Sequence, residues 1–314
     1  MANKHLLRLL GWLFLCLVIY SIAGIISGID FGSILLFDRK LVLQASLFKF
    51  FMWIISMLLL CLAWRYCVYL VTGKKYNLPM LSRVYLVSNI GKYLPGNIFN
   101  YASRSYLMLS EDIGKRQVVA SSLVEVVLSV VSNSLMVALS CGLLMILAPS
   151  HLKGLLPEIP VNRWEQALLL VLIVLIAGVV LCSRWKHKIM GYLRSIIPHQ
   201  DLLRPTISIL AIYAIIFLVE GGSYYFITLI LSGNEALFVD GLLAISVFGL
   251  AALVGFLTPG LPAGIGVREG LALLWLSGSF PAPIILLALV ICRVSALFAD
   301  GILFFAARLA SESK

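Results

Sequence analysis

Long apolar runs separated by short polar segments dominate this chain and predict membrane-spanning helices. Runs near or above the roughly 20 residues that cross a bilayer lie at 7–29, 44–71, 118–148, 166–183, 206–231 and 283–307. Their apolar residues are continuous and do not alternate, which favours helices over the strands of a barrel. The first run follows a basic N-terminus and is longer than a signal-peptide core, so we interpret it as a retained span.

Two further apolar regions are interrupted and predict pairs of short helices. Region 79–109 contains Leu94-Pro95-Gly96, and region 238–278 contains Pro259-Gly260 followed by more glycines. Proline and glycine both break helices. Each region therefore predicts a re-entrant hairpin, in which the chain enters and leaves the membrane on one side. The alternative is that 238–257 is a full span, which would place the C-terminus outside.

The positions of the basic residues predict the orientation, because loops rich in Lys and Arg remain in the cytoplasm. Segment 184–205 carries its basic residues against the single acid Asp201, and Lys74, Lys75 and Arg83 follow the second span. Both termini are then cytoplasmic, and the two hairpins open to opposite sides of the cytoplasmic membrane. Residues 1–148 and 166–308 form two halves of one membrane domain (1–314), an inverted repeat of the kind found in transporters.

The composition supports a helical membrane protein. Hydrophobic residues make up 61% of the chain and charged residues 12%, against about 25% charged in soluble domains. The net charge is +10, but the basic residues flank apolar runs. They indicate orientation and contacts with membrane lipids, not a nucleic-acid partner. No phosphate-binding loop, metal-ligand spacing or catalytic motif is evident, so we expect no cofactor, no metal and no enzymatic activity.

Two arginines follow the two Pro-Gly breaks at the same offset: Arg104 after Gly96, and Arg268 after Gly260. An arginine holds a phosphate with two parallel hydrogen bonds and stays charged, and helix N-termini attract anions. The breaks therefore predict a paired site for an anionic ligand. Alternatively, each arginine reaches the membrane interface or pairs with a carboxylate. The predicted site also includes the residues that surround the breaks: Lys92, Pro95, Asn97, Pro259 and Gly266.

Other charged residues lie inside apolar segments, where they are expensive unless paired. Glu125 follows the first hairpin, and Arg293 follows the second, so both belong to the predicted site together with Glu269. A pair between Glu125 and Arg268, or between Glu269 and Arg293, would hold such charges in lipid and could open as a gate. Glu220 and Asp300 are candidate proton-coupling residues, with a structural role as the alternative.

These motifs resemble the transmembrane region of the lysylphosphatidylglycerol synthases and their flippase-like relatives. The resemblance is carried by Asn89-Ile90-Gly91-Lys92-Tyr93-Leu94-Pro95-Gly96 with Arg104, by the segment around Glu125, by Gly264-Ile265-Gly266-Val267-Arg268-Glu269, and by Arg293. It covers nearly the whole chain in order and spacing. It implies a flippase fold without the aminoacyl-transfer activity. Its stand-alone relatives imply a link to cell-envelope glycans, and hence a polyprenyl-phosphate substrate.

The sequence thus predicts a flippase or transporter for an anionic phospholipid or a polyprenyl-phosphate-linked lipid, with phosphate held by Arg104 and Arg268. The absence of an ATP-binding motif predicts that transport is downhill or driven by a gradient. The alternative function is a scaffold or accessory subunit that does not transport and has an envelope glycosyltransferase or a lipid-modifying enzyme as its partner.

Overall fold

The computed structural model describes residues 37–93, 99–108, 113–147, 202–235, 237–257 and 267–312, and these ranges are helical without any strand. The helices are α1 (Arg39–Thr72), α2 (Leu78–Asn89), α3 (Phe99–Leu107), α4 (Lys115–Leu147), α5 (Leu203–Ser232), α6 (Phe238–Leu257), α7 (Val267–Leu276) and α8 (Ala282–Glu312). A 3-10 turn, Ile90–Tyr93, continues α2. Outside the described residues lie the predicted spans 7–29 and 166–183 and the turn residues Pro95, Gly96, Asn97, Pro259, Gly260 and Gly266.

Five of the described helices, α1, α4, α5, α6 and α8, are long and apolar enough to cross a membrane. The chain is therefore a multi-pass helical membrane protein. Four of these helices coincide with the predicted spans 44–71, 118–148, 206–231 and 283–307. The fifth, α6, covers the first part of the second interrupted region. The sequence did not decide whether this part is one arm of a hairpin or a full span.

Capping residues mark both ends of α1 and the end of α5. Asp38 accepts a hydrogen bond from the backbone N–H of Lys40 (2.9 Å) and begins α1. Gly73 ends the same helix with φ = 72°, and Gly233 ends α5 with φ = 66°. Both values lie in the left-handed region that glycine adopts without strain.

Exposed apolar side chains form stripes along two helices, as expected for faces that contact lipid. On α4 they recur every three or four residues and so form one stripe along the helix; they are Val119, Leu123, Val127, Val131, Leu135, Leu139, Leu143 and Ile146. A shorter stripe runs along α1 from Leu43 to Leu58. In water such stripes would be unfavourable, whereas hydrocarbon chains solvate them.

Two hydrophobic clusters occupy opposite ends of the bundle. The first joins Ala45 of α1 to the end of α5 and to α6, α7 and the start of α8. The second joins the later part of α1, from Met57 to Val71, to α2 and to the starts of α4 and α5. Consequently α1 and α8 run in one direction, and α4 and α5 run in the other. The middle of the bundle, between the clusters, holds most of the buried charge.

The other helices form two pairs that are consecutive in the chain, α2 with α3 and α6 with α7. These are the two pairs of shorter helices, and each pair begins and ends in one cluster. Leu81 in α2 and Met108, just after α3, both belong to the second cluster. Leu243 in α6 and Leu276 at the end of α7 both belong to the first. Within the first pair, Gly91 allows a close approach of the two backbones. A Cβ atom added at Gly91 would lie only 2.5 Å from the backbone nitrogen of Asn100.

Candidate functional site

The first buried ion pair joins α3 to α4. The guanidinium of Arg104 contacts the carboxylate of Glu125, and its Nε donates to the hydroxyl of Ser88 at 3.2 Å. The hydroxyl of Tyr85 donates to the other oxygen of Glu125 at 2.9 Å, and the Tyr85 ring lies 4.0 Å below the guanidinium. Arg104 is 1% exposed and Glu125 is 5% exposed. A charge buried to this degree destabilises the protein unless the opposite charge remains beside it.

A second ion pair joins α7 to α8. Arg293 Nη2 lies 2.5 Å from Glu269 Oε1, and both side chains are partly exposed. Neither of these two atoms forms a hydrogen bond within the described part of the chain, so the contact is an ion pair alone. The sequence had offered two pairings, and the structure forms the Glu269–Arg293 pair. It does not form the Glu125–Arg268 pair, because Glu125 is taken by Arg104.

Asp300 on α8 holds the segment where α2 becomes a 3-10 turn. Lys92 Nζ lies 2.6 Å from one carboxylate oxygen, and the Tyr93 hydroxyl donates to the same oxygen at 2.6 Å. The other oxygen accepts from the indole N–H of Trp53 at 2.9 Å and from the amide of Asn89 at 3.2 Å. Lys92 also lies 4.8 Å above the Trp53 ring. Three parts of the chain meet at this carboxylate.

Lys49 and Glu220 form a fourth ion pair, which joins α1 to α5. Lys49 Nζ lies 2.7 Å from a carboxylate oxygen of Glu220 and donates to the Ser223 hydroxyl at 2.7 Å. The Ser56 hydroxyl donates to the other oxygen at 2.6 Å. Each group is thus neutralised where water is scarce.

Arg268, the first charged residue of α7, differs from these residues. Its guanidinium lies 5.4 Å from the centre of the Phe248 ring, a cation–π contact. Within the described ranges, no carboxylate forms an ion pair with it. The buried cluster therefore contains four acid–base pairs and one further cation, so its net charge is +1 among the residues that the structure describes.

A cavity of about 410 Å³ opens beside these groups, a volume in the range of small-ligand pockets. Its charged lining residues are Lys49, Lys92, Glu125, Glu220, Arg268 and Arg293. Arg104 lies behind Glu125 and is not part of the lining. Apolar side chains supply much of the remaining wall, among them Phe217, Leu253 and Phe256.

The structure brings together all the predicted site residues that it describes. Lys92, Glu125, Arg268 and Arg293 line the cavity, while Arg104, Glu269 and Asp300 pair with residues of the lining. Among these described ranges, no group of three potential metal ligands occurs.

Sequence reasoning missed Lys49, Trp53 and Asn133, which also line the cavity. A signal was present for two of them, since a lysine and an asparagine inside the apolar runs 44–71 and 118–148 are unfavourable in lipid without a polar neighbour. Trp53 gave no signal, because tryptophan is common in membrane helices and only the fold places its N–H against Asp300.

No family model, curated protein or solved structure matches this chain. The resemblance to the lysylphosphatidylglycerol synthase region therefore depends on the sequence motifs themselves. Of these, Lys92, Arg104, Glu125, Arg268, Glu269 and Arg293 fall in the described ranges, at or directly behind one cavity.

Proposed function

We propose that this protein is a flippase for an anionic lipid of the cytoplasmic membrane, either a phospholipid or a polyprenyl-phosphate-linked lipid. One observation carries the proposal: Arg268 faces a cavity inside a helical membrane protein without an acidic partner among the described residues. A guanidinium held at that depth is unfavourable unless a ligand supplies the missing negative charge. Lipid phosphate is an anion that is abundant there and suits arginine geometry.

The mixed lining of the cavity supports a lipid as the ligand. Charged groups gather near Arg268, while residues such as Ile216, Leu253 and Phe256 provide apolar wall. In the proposed mechanism the head group enters the polar part, and the hydrocarbon chains stay in the bilayer. Moving a bare phosphate through hydrocarbon costs on the order of tens of kcal/mol, and a polar cavity removes most of that barrier.

The two pairs of shorter helices are, in this proposal, the re-entrant hairpins of an inverted repeat. Support comes from the clusters in which they start and finish: α2 and α3 at one end of the bundle, α6 and α7 at the other. Such mirrored elements allow a central site to open alternately to either side. With both termini in the cytoplasm, the first pair opens inward and the second opens outward.

The ion pairs then serve as gates around the site. Arg104 contacts phosphate only after its pair with Glu125 opens, which assigns Arg104 to a different step from Arg268. Glu220 and Asp300 each hold a lysine, so protonation of either carboxylate would release that lysine. A proton gradient is therefore the energy source that we propose, if transport is not simply downhill.

Transport is tested with purified protein in liposomes that contain fluorescent NBD-phosphatidylglycerol, with dithionite bleaching as the measure of movement between leaflets. We expect bleaching of the inner-leaflet probe to accelerate relative to empty liposomes. Arg268→Gln should slow movement about ten- to hundredfold, since a charge-assisted hydrogen bond contributes about 1.5–3 kcal/mol.

The matched control is Arg204→Gln, which removes an arginine that is exposed at the start of α5 and does not line the cavity. It should leave the rate unchanged. A folded protein that moves neither phosphatidylglycerol nor a fluorescent polyprenyl phosphate would contradict the proposal. That outcome would favour the scaffold function, in which a glycosyltransferase or lipid-modifying enzyme is the partner.

A further inference from the structure

Asn133 is a second polar group at the cavity that the described residues leave available. It lies near the middle of α4, half-buried, and its side chain lines the cavity. No hydrogen bond to the Asn133 amide is formed by any residue in the described part of the chain. The neighbouring Ser129 and Ser132, by contrast, donate to backbone carbonyls, of Val126 at 2.9 Å and of Leu210 at 3.0 Å.

An amide carries two donors and one acceptor oxygen. In a membrane helix such a group is unfavourable unless it meets a polar partner. An amide has no net charge to match a phosphate, and its mixture of donors and acceptor suits a hydroxyl group. Asn133 and Arg268 therefore offer two different chemistries in the lining of one cavity.

The charge of the cluster limits what that ligand can be. Lys49, Lys92, Arg104 and Arg293 are each offset by one carboxylate, so Arg268 supplies the one excess charge of this cluster as far as the described residues form it. A phosphodiester carries one negative charge and balances it. A diphosphate would bring further charge that these residues do not neutralise, at a cost that rises steeply away from water.

We infer that the cavity binds the head group of a singly charged phosphodiester lipid that bears hydroxyl groups, with the phosphate on Arg268 and a hydroxyl on Asn133. This inference rests on the proposed function for its lipid ligand and adds the class of head group. Phosphatidylglycerol and a polyprenyl phosphodiester sugar share this chemistry. A polyprenyl diphosphate does not.

Equilibrium binding to the purified full chain in detergent, measured by calorimetry, tests the inference separately from transport. The probes are dioctanoyl phosphatidylglycerol, dioctanoyl phosphatidylmethanol, farnesyl phosphoglucose and farnesyl diphosphate. Phosphatidylmethanol is the matched probe, since it is also a singly charged phosphodiester but carries no head-group hydroxyl. The native protein should bind phosphatidylglycerol or farnesyl phosphoglucose about three- to tenfold more tightly than phosphatidylmethanol, the range expected for one hydrogen bond.

Asn133→Leu should lower the affinity for the hydroxyl-bearing probe to that for phosphatidylmethanol and leave phosphatidylmethanol binding unchanged, which also reports that the variant is folded. Asn234→Leu, in the exposed loop after α5, is the control and should change neither. Arg268→Gln should weaken the phosphodiester probes together. Preference for one hydroxyl-bearing probe over the other identifies the source as a glycerophospholipid or a polyprenyl lipid.

Equal losses for phosphatidylglycerol and phosphatidylmethanol in Asn133→Leu, or no loss for either, would overturn the role of Asn133. Farnesyl diphosphate binding as tightly as the phosphodiesters would overturn the limit on charge, and the absence of binding by both hydroxyl-bearing probes would overturn the inference as a whole. Binding with the expected pattern but without movement in liposomes would support the inference and contradict the flippase function.

Discussion

Arg104 of α3 forms a buried ion pair with Glu125 of the helix that follows it. In the second half of the chain, Glu269 of α7 pairs with Arg293 of the helix that follows it, with the two charges exchanged. Both ion pairs join a short helix to the long helix that follows it. In the first pair the short helix carries the arginine, and in the second it carries the glutamate. Arg268, next to Glu269, lines the cavity and has no acidic partner among the described residues.

The Arg104–Glu125 pair predicts a large loss of stability when one partner is removed. Glu125→Gln leaves the buried guanidinium without a counter-charge, and the free energy of unfolding should fall by about 3–5 kcal/mol. The double variant Arg104→Leu/Glu125→Leu removes both charges and should be more stable than the single variant. Thermal unfolding in detergent measures both. A double variant that is no more stable than Glu125→Gln would contradict this account.

Glu269→Gln should change ligand preference more than stability. Its pair with Arg293 is more exposed than the first, so the loss of stability should be below about 3 kcal/mol. The excess charge of the cluster rises from one to two when the carboxylate is removed. Binding of dioctanoyl phosphatidate, a phosphomonoester, should therefore strengthen relative to phosphatidylglycerol by on the order of tenfold. Calorimetry with both lipids checks the ratio, and an unchanged ratio would refute the charge argument.

Asp300→Asn should loosen the segment that the carboxylate holds. Lys92, Trp53, Asn89 and Tyr93 all contact Asp300, and the neutral amide cannot satisfy them together. Amide hydrogen exchange in Ile90–Tyr93 should accelerate about tenfold or more, corresponding to a loss of at least about 1.4 kcal/mol of local stability.

The control for Asp300→Asn is Asp240→Asn at the start of α6. Asp240 accepts a hydrogen bond from the Ser279 hydroxyl at 3.0 Å and lies far along the chain from the 3-10 turn. Exchange in Ile90–Tyr93 should not change in this variant. Equal acceleration in both variants would mean that Asp300 has no specific role in holding the turn.

Gly91→Ala should separate α2 from α3. The added Cβ would lie 2.5 Å from the backbone nitrogen of Asn100, and backbone atoms cannot move aside as a flexible side chain does. We expect a loss of about 1–3 kcal/mol. Gly142→Ala on α4 is the matched control, because its Cβ would meet nothing within 4 Å. The free energy of unfolding of that variant should rise by up to about 1 kcal/mol from helix propensity. A melting temperature for Gly91→Ala that is not below that of Gly142→Ala would contradict the close packing of α2 against α3.

Cysteine labelling tests the inverted repeat. In a variant that lacks the native cysteines, Asn77→Cys precedes α2 and Ser277→Cys follows α7, both at exposed positions. A membrane-impermeant maleimide should label Asn77→Cys from the cytoplasmic side and Ser277→Cys from the outside. Labelling of both from the same side would show that the two helix pairs open in one direction, contrary to the proposal.

The sequence by itself determined the class of protein and the positions of α1, α4, α5 and α8, because a long, continuous apolar run is favoured in lipid and as a helix. It left open whether 238–257 is a hairpin arm or a full span. It also identified Arg104, Glu125, Arg268, Glu269 and Arg293 as costly charges that need partners. It left the partners open, because ion pairs between separate helices depend on how the helices rotate and pack, and periodicity does not specify that.

Only the tertiary structure decided that Glu125 pairs with Arg104 instead of Arg268, and that Lys49 and Asn133 share the cavity with Arg268. These choices follow from two hydrophobic clusters that fix α1, α4, α5 and α8 around a polar middle. Residues far apart in the chain meet there because burying apolar surface at both ends of the bundle positions everything between. Each charged side chain then pairs with the opposite charge that the packing places nearest to it. The order of residues along the chain does not specify which charge that is.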